Sequence, residues 1–289
     1  MQKRLAQLAI LAVVVMNAFS VNAQSQALGR PVAIDKLPSG SLYVLDAQGA
    51  VHAVDFPGGK PTITGSFRFP SGWVVSDIVS TQMGGKNILF LSFNLGLIGR
   101  VCMLSSTGQI LKTWNLQNGV VGITFDSSSS TLFAASSRTP EIFRIIPSKS
   151  DGPEFIAETT GSRSLGPIIY DSKDNSLLVG DLVMGTIYRI DIATRKSTVL
   201  FGGLKSPGAL KLSEDGSSLF VADAGARKVL TFPITQPGAK SKTFAIIPQF
   251  QSPSGLAWVG ARLAVSDEGA RKLFILSTSG NLESILPAK

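Results

Sequence analysis

One short apolar segment recurs six times along this chain, and its even spacing is the strongest constraint on the fold. Each copy begins with leucine and runs for five residues, and the fifth residue is aspartate in four copies. The leading residues lie 42 to 47 positions apart; they are Leu42, Leu89, Leu132, Leu177, Leu219 and Leu263. A unit of this size cannot bury its own apolar faces, so it needs neighbours of its own kind.

The repeat at residues 207–232 indicates what each unit contains. Three short strands are predicted at residues 210–212, 219–222 and 229–232, and Asp-Gly and Asp-Ala-Gly turns separate them. Glycine and aspartate both favour tight turns. A fourth, more polar strand follows, which suits an outer edge. The repeats therefore predict an all-β fold, a six-bladed β-propeller with four-stranded antiparallel blades.

Composition excludes several kinds of site. The chain has 289 residues, with one cysteine and one histidine. A single cysteine cannot form an intramolecular disulfide or a cysteine-based zinc cluster, and we expect Cys102 to be buried in a strand. A serine–histidine–aspartate triad would require His52, and no Gly-x-Ser-x-Gly motif accompanies it. The alternating pattern around His52 predicts a histidine on the surface of a strand.

The first residues have the pattern of an export signal. Lys3 and Arg4 precede an apolar run at residues 8–16, and small residues that suit cleavage end at Ala23. We therefore expect a signal peptide over 1–23 and a propeller over 24–289. We also expect a periplasmic or secreted protein without stable membrane insertion, because no later run is long and charge-free enough to span a bilayer.

The charge pattern argues against nucleic acid as a partner. The formal net charge is +8, but lysine and arginine are spread along the chain. A nucleic-acid-binding protein usually concentrates such charge on one face together with aromatic residues. A solvated surface and a mild preference for anionic surfaces or glycans both remain compatible with the pattern.

The last two repeats carry a resemblance to a known family. The segments that begin at Asp223 and Asp267 read Asp-Ala-Gly-Ala-Arg-Lys and Asp-Glu-Gly-Ala-Arg-Lys. They resemble the NHL repeat, in which an Asp-x-Gly-x-x-Arg turn joins the middle strands. Residues 177–200 are also similar to the six-bladed gluconolactonase (senescence-marker-like) and strictosidine-synthase-like propellers. The resemblance implies the propeller fold and leaves the activity open.

The gluconolactonase resemblance implies a divalent cation, such as calcium, at the mouth of the central channel. In that class a glutamate near the first blade and Asn and Asp residues on later inner strands hold the ion. This sequence has no glutamate between Gln24 and Gly40, and the later inner strands open without asparagine. Asp77 is the only carboxylate expected to face the channel, and one carboxylate is a poor cation site. We therefore predict no cofactor, with one calcium ion on Asp77 as the alternative.

Other candidate residues have a structural and a functional interpretation. The aspartates that end four of the repeated segments suit the capping of turn amides better than a cation site. Arg227 and Arg271 follow those turns and could bind a carboxylate or phosphate, or pair with a neighbouring blade. Trp73 could line the mouth of the channel and stack on a ligand.

The sequence favours a binding protein over an enzyme. We expect a non-catalytic binding or scaffold module for an extracytoplasmic protein, peptide or glycan. The alternative is a divergent metal-dependent hydrolase of the gluconolactonase or lactonase type. An enzyme should bring several carboxylate or amide side chains together at the channel, whereas a scaffold should expose a broad patch on one face.

Overall fold

The computed structural model describes residues 28–38, 40–69 and 72–287, and it is a six-bladed β-propeller. Each of the six sheets has four strands in sequence order, and every neighbouring pair is antiparallel. The predicted fold class is therefore confirmed. The expected signal peptide over 1–23 lies outside the described residues.

The first three blades span residues 31–158. Blade 1 comprises β1 (Pro31–Lys36), β2 (Leu42–Asp46), β3 (Ala50–Asp55) and β4 (Thr62–Arg68), with a 3-10 turn at Pro57–Gly59; blade 2 comprises β5 (Val74–Met83), β6 (Lys86–Leu95), β7 (Ile98–Ser105) and β8 (Ile110–Leu116); blade 3 comprises β9 (Gly122–Asp126), β10 (Thr131–Ala135), β11 (Glu141–Ile145) and β12 (Glu154–Glu158).

The last three blades repeat the same order of strands. Blade 4 comprises β13 (Leu165–Asp171), β14 (Ser176–Asp181), β15 (Thr186–Asp191) and β16 (Ser197–Phe201); blade 5 comprises β17 (Pro207–Leu212), β18 (Ser218–Asp223), β19 (Lys228–Pro233) and β20 (Lys242–Ala245); blade 6 comprises β21 (Pro253–Val259), β22 (Arg262–Asp267), β23 (Lys272–Leu276) and β24 (Leu282–Pro287). Within the described ranges, no helix is long and apolar enough to cross a membrane.

The hydrophobic core lies between the blades. Six apolar clusters are present, and each one joins two successive blades. The second strand of a blade contributes to both neighbouring clusters, because its side chains alternate between the two faces of the sheet. In blade 1, for example, Leu42 and Val44 pack towards blade 6, whereas Tyr43 and Leu45 pack towards blade 2. This explains why the repeated segment is apolar at nearly every position.

The ring closes by packing blade 1 against blade 6. Each blade consists of one continuous stretch of sequence, so no strand is exchanged across the closure in the described part of the chain. The Ser254 hydroxyl donates a hydrogen bond to the carbonyl of Pro31 (2.9 Å), and Arg30 pairs with Glu268 (2.6 Å). Leu28, 1% exposed, joins the cluster between these two blades.

The aspartates that end the second strands are buried caps. Asp223 accepts hydrogen bonds from the amides of Lys205 and Ser206, which precede its blade, and from the amide of Ala226 in its own turn. Asp267 bonds the equivalent amides in blade 6. Each carboxylate therefore ties a turn to the connection that enters the blade, and the expected structural role is confirmed.

Two blades use other residues at the position of the buried aspartate. In blade 3 the Ser136 hydroxyl accepts from the amides of Arg138 and Thr139 and donates to the carbonyl of Asn118. In blade 2 the position is Phe93, whose ring stacks on Trp73 with centroids 4.0 Å apart. The same connection is thus made by a carboxylate, a hydroxyl or an aromatic stack.

The prediction for His52 is wrong, and that for Cys102 is confirmed. His52 is fully buried, with Nδ1 2.7 Å from Ser66 Oγ and Nε2 3.4 Å from Asp46 Oδ2. Both faces of β3 are covered by neighbouring blades, so alternation within the strand does not indicate an exposed side. Cys102 is 1% exposed in β7, and burial raises the pKa of its thiol.

Replacing one of the buried caps should destabilise the whole ring. We expect Asp223→Ala to lower the free energy of unfolding by about 3 kcal/mol, because three backbone amides lose a charged acceptor. Urea unfolding at neutral pH measures the change. Glu214→Ala, an exposed change in a neighbouring turn, is the control and should leave stability nearly unchanged. Equal stability of the two variants would contradict the capping role.

Candidate functional site

A cavity of about 650 Å³ occupies the centre of the ring. Residues from the first strands of all six blades line it, so every wall is the edge or face of an inner strand. We call this space the channel cavity. A volume of this size is within the range of small-molecule sites.

Register places one residue from each blade at the same level of the channel cavity. These residues pair with the second residue of the repeated segment, as Asp35 does with Tyr43 and Lys211 with Phe220. The six positions are Asp35, Val79, Thr124, Ile169, Lys211 and Ala257. Five of them line the cavity, with two opposite charges, one hydroxyl and two apolar side chains, whereas Ala257 is fully buried in the cluster between blades 1 and 6.

The two charges at this level form an ion pair across the channel. Lys211 Nζ lies 3.3 Å from Asp35 Oδ1, and the side chains are 32% and 15% exposed. Asp35 Oδ2 also accepts from the amide (2.7 Å) and hydroxyl (3.0 Å) of Ser80 in blade 2. The pair joins blades 5 and 1 past blade 6, and Asp35 extends the connection to blade 2.

Asp77 lies nearer to the start of its inner strand. Its Oδ1 accepts from the amide of Ile78 (2.8 Å), and its Oδ2 accepts from the amide of Ile123 in blade 3 (2.9 Å). Burial raises the pKa of Asp77 to about 7, and the negative charge of Asp35 adds to this shift. The hydrogen bonds from the two backbone amides and the positive charge of Lys211 act in the opposite direction. Asp77 therefore connects two blades and changes its charge near neutral pH.

The expectation that only Asp77 faces the channel is wrong, because Asp35 lines the same cavity. Asp35 stands near the end of its inner strand, whereas sequence reasoning considered only the openings of these strands. No group of three or more His, Cys, Asp or Glu residues is placed to hold a metal ion within the ranges that the structure describes. The described charged residues that line the cavity are two aspartates and two lysines: Asp35, Asp77, Lys36 and Lys211.

The second candidate region is one face of the ring. Antiparallel order places the turn between the second and third strands of every blade on the same face as the connections between blades. We call it the turn-and-connector face. Among the residues that the structure describes, six of the nine large apolar side chains that are exposed lie there: Val74, Leu97, Ile98, Val183, Met184 and Ile246. The other three, Leu111, Phe155 and Val199, lie on fourth strands.

Arg227 and Arg271 lie on the turn-and-connector face in the left-handed backbone region, with φ angles of 56° and 55°. The equivalent residues of blades 1 and 4 are Gly49 and Gly185, which adopt such angles without strain. Both arginines are exposed and make no side-chain hydrogen bond or ion pair with another described residue. The geometry thus holds two free guanidinium groups at positions that favour glycine.

Trp73 lies in the connection between blades 1 and 2, where it is partly buried. Its ring is stacked between Phe69, at a centroid distance of 5.4 Å, and Phe93. It packs against the cluster between these blades and is not among the residues that line the channel cavity. Its use as a stacking platform for a ligand stays a prediction.

Sequence reasoning missed the Asp35–Lys211 pair and the exposed apolar turns. Aligning the repeats on their leading leucines leaves the two charges one residue apart, because Asp35 lies 7 and Lys211 lies 8 positions before the leucine of its repeat; only the strand register places both at one level. That alignment could not have shown that they meet, since 176 positions separate them. The apolar turn residues were readable in sequence, but only the fold shows that they share a face.

Comparisons with known proteins support the fold. No protein-family model and no curated protein matches this chain. A chain of the nidogen–laminin complex is similar with a TM-score of 0.69 at 16% identity, covering 83% of this chain and 91% of that one. Virginiamycin B lyase from Staphylococcus aureus, crystallised with quinupristin as a catalytically inactive variant, has a TM-score of 0.65 at 18% identity, with coverages of 93% and 88%.

A third similar structure is a protein of unknown function from Bacteroides thetaiotaomicron. Its TM-score is 0.67 at 13% identity, and the match covers 89% of this chain and 71% of that one. At such identities the likeness shows the architecture alone. This chain is a six-bladed propeller that resembles propellers of different functions, including nidogen and a lyase.

The raised pKa of Asp77 predicts a pH dependence of stability. The folded chain keeps a proton on Asp77 up to about pH 7, whereas an aspartate in the unfolded chain, with its ordinary pKa of 3.8, has lost it. The folded state therefore binds more protons in this interval, and stability should fall as pH rises through it, by up to about 4 kcal/mol in total.

Asp77→Asn should remove this dependence. Urea unfolding of both proteins from pH 4 to pH 8 measures it, and the difference between wild type and variant should shift in favour of the variant as pH rises. The variant also loses a hydrogen bond from a backbone amide, which changes its free energy of unfolding by an amount that does not depend on pH. Parallel curves would show that Asp77 titrates normally.

Proposed function

We propose that this protein is a non-catalytic binding or scaffold module that holds its ligand on the turn-and-connector face. One observation carries the proposal: six of the nine exposed large apolar side chains lie on this face. Large apolar side chains that are exposed on one face, and missing from the described turns of the other, favour the first face as a binding surface. Arg227 and Arg271 add two unpaired donors to the same surface.

The channel cavity gives less support to catalysis. Two carboxylates line it, but Asp35 is paired with Lys211 and bonded to Ser80, and both oxygens of Asp77 accept backbone amides. These groups already connect blades 1, 2, 3 and 5. These contacts between blades explain the positions of the charged groups without a substrate.

The single histidine of this chain is not placed for chemistry in the channel cavity. A histidine-to-alanine variant of virginiamycin B lyase is catalytically inactive. The single histidine of this chain, His52, is fully buried between Asp46 and Ser66 and does not line the channel cavity. The nidogen–laminin complex, in turn, is an assembly that contains a propeller of this architecture.

The remaining parts of the proposal come from the sequence. We propose an exported protein, periplasmic or secreted after removal of residues 1–23, with NHL-like repeats. The Asp-x-Gly-x-x-Arg turns at Asp223 and Asp267 support that relationship. Its ligand would be an extracytoplasmic protein, peptide or glycan, with Arg227, Arg271 and Trp73 as the sequence-derived contact residues.

A metal-dependent hydrolase of the lactonase type is the second candidate. The observation in its favour is that Asp35 and Asp77 line one cavity, because carboxylate oxygens are the ligands that calcium prefers. The cation would have to displace Lys211 from Asp35 and use Asp77 oxygens that already accept amides. We therefore rank this function below binding.

Calcium distinguishes the two candidates. We expect calorimetry of the chelator-treated protein to show no stoichiometric calcium site, and millimolar calcium to leave Tm unchanged, because Lys211 already neutralises Asp35. Magnesium and zinc serve as comparisons. Micromolar binding that is lost in Asp77→Asn would favour the hydrolase instead, and a panel of lactones would then be the next assay.

Photo-crosslinking in the native host tests the binding face directly. A photoreactive residue at Leu97 or Val183 should give one shared adduct, whereas the same residue at Lys60 or Lys240, on the opposite face, should give none. Excess wild-type protein should compete, and Leu97→Asp/Val183→Asp should not. Adducts that form equally from both faces would contradict the proposal.

A further inference from the structure

The turn-and-connector face is basic as well as apolar. Its turns and connections, over the described ranges, contain six basic residues and one acidic residue, Glu268; the basic ones are Arg30, Arg138, Arg163, Lys205, Arg227 and Arg271. All six are exposed, and only Arg30 is paired with the acidic residue. The buried aspartates at the ends of the second strands are covered by amides and do not reach the surface.

The opposite face has a smaller excess of basic over acidic residues and lacks exposed large apolar side chains in its described turns. Its described turns also contain six basic residues, Lys60, Lys149, Lys173, Arg195, Lys196 and Lys240, but four acidic residues accompany them: Asp151, Asp174, Glu214 and Asp215. None of the nine exposed large apolar side chains lies in these turns. The two faces therefore differ in net charge as well as in hydrophobicity.

The apolar groups on the turn-and-connector face are aliphatic and dispersed. Leu97 and Ile98 lie in blade 2, Val183 and Met184 lie in blade 4, and Ile246 lies between blades 5 and 6. Protein partners usually need a compact centre that is rich in Trp and Tyr, whereas the one tryptophan here is stacked against its own blade. Separate aliphatic tips with cations between them are typical of surfaces that lie in a membrane interface.

We infer that this face docks peripherally on a bilayer that contains anionic phospholipid. The inference rests on the proposed binding role of the face, and it assigns a lipid ligand in place of the protein, peptide or glycan that the sequence favours. Charge complementarity is its main argument, because none of the five cations other than Arg30 forms an ion pair with a described residue and basic residues outnumber acidic ones in these turns and connections. The aliphatic tips would enter the headgroup region, and the arginines and Lys205 would contact lipid phosphates.

The glycine-like positions of Arg227 and Arg271 provide a test of this inference. A left-handed backbone is strained for arginine, and glycine would remove the strain. Retaining arginine there keeps two cations at the tips of adjacent turns, in blades 5 and 6. This allows a variant that weakens binding without weakening the fold.

Vesicle co-sedimentation tests the inference. The probes are vesicles of phosphatidylcholine alone and vesicles of phosphatidylcholine with phosphatidylglycerol. We expect the wild-type protein to bind only the second kind and to dissociate as salt is raised. Arg227→Gly/Arg271→Gly should weaken binding roughly thirtyfold, because each cation near an anionic surface contributes about a fivefold gain in affinity.

Two further variants make the comparison specific. Leu97→Asp/Val183→Asp should abolish detectable binding, because it places two anions where the tips enter the lipid. Lys60→Gln/Lys240→Gln removes the same number of charges from the opposite face as the arginine variant and should bind like wild type. Thermal unfolding of each variant checks folding, and the glycine variant should be at least as stable as wild type.

The outcomes separate this inference from the proposed function. No wild-type binding to the anionic vesicles, or equal loss in the control on the opposite face, would overturn it. If the wild-type protein does not bind the anionic vesicles but crosslinking from Leu97 gives a single protein adduct, the proposed binding face is supported and its ligand is a protein. If both experiments fail, neither the face nor the lipid is supported.

Discussion

Each four-stranded sheet of this protein has two apolar faces, and it buries them only against the sheets on either side. The six hydrophobic clusters lie at the six contacts between blades. The ring must therefore close for any blade to be fully buried, and the contact between blades 1 and 6 is as necessary as the others. The channel cavity at the centre follows from the same constraint, because six inner strands meet there without filling it.

Polar groups reinforce the apolar contacts at two levels. At one face, buried aspartates tie the turns of blades 4, 5 and 6 to the connections that enter these blades, as Asp181 does with the amides of Arg163 and Met184. Burial disfavours the charge of Asp181, but these hydrogen bonds outweigh it and lower the pKa of the carboxyl. In the channel, Asp35, Asp77 and Lys211 connect inner strands of different blades. These buried and channel-lining carboxylates are therefore engaged in hydrogen bonds and an ion pair that stabilise the fold.

This division of roles favours a surface function. Because the second-strand aspartates and their amides already stabilise the turns, the outer residues of the turns are free to vary. In blades 2 and 4 these residues are aliphatic, and in blades 5 and 6 they are arginine. The face that results is apolar and basic, and the opposite face is polar with mixed charge. A ring that separates its two faces in this way is suited to lie against another surface.

The sequence by itself determined the architecture, since the repeats predict the number of blades, the order of strands and the capping role of the aspartates. These features depend on residues close together in the chain, such as Asp223 and Ala226, so local patterns reveal them. Only the tertiary structure decided what depends on ring closure. His52 is buried because neighbouring blades cover both sides of its strand. Asp35 meets Lys211 although 176 positions separate them, because closure brings blades 1 and 5 to opposite sides of blade 6.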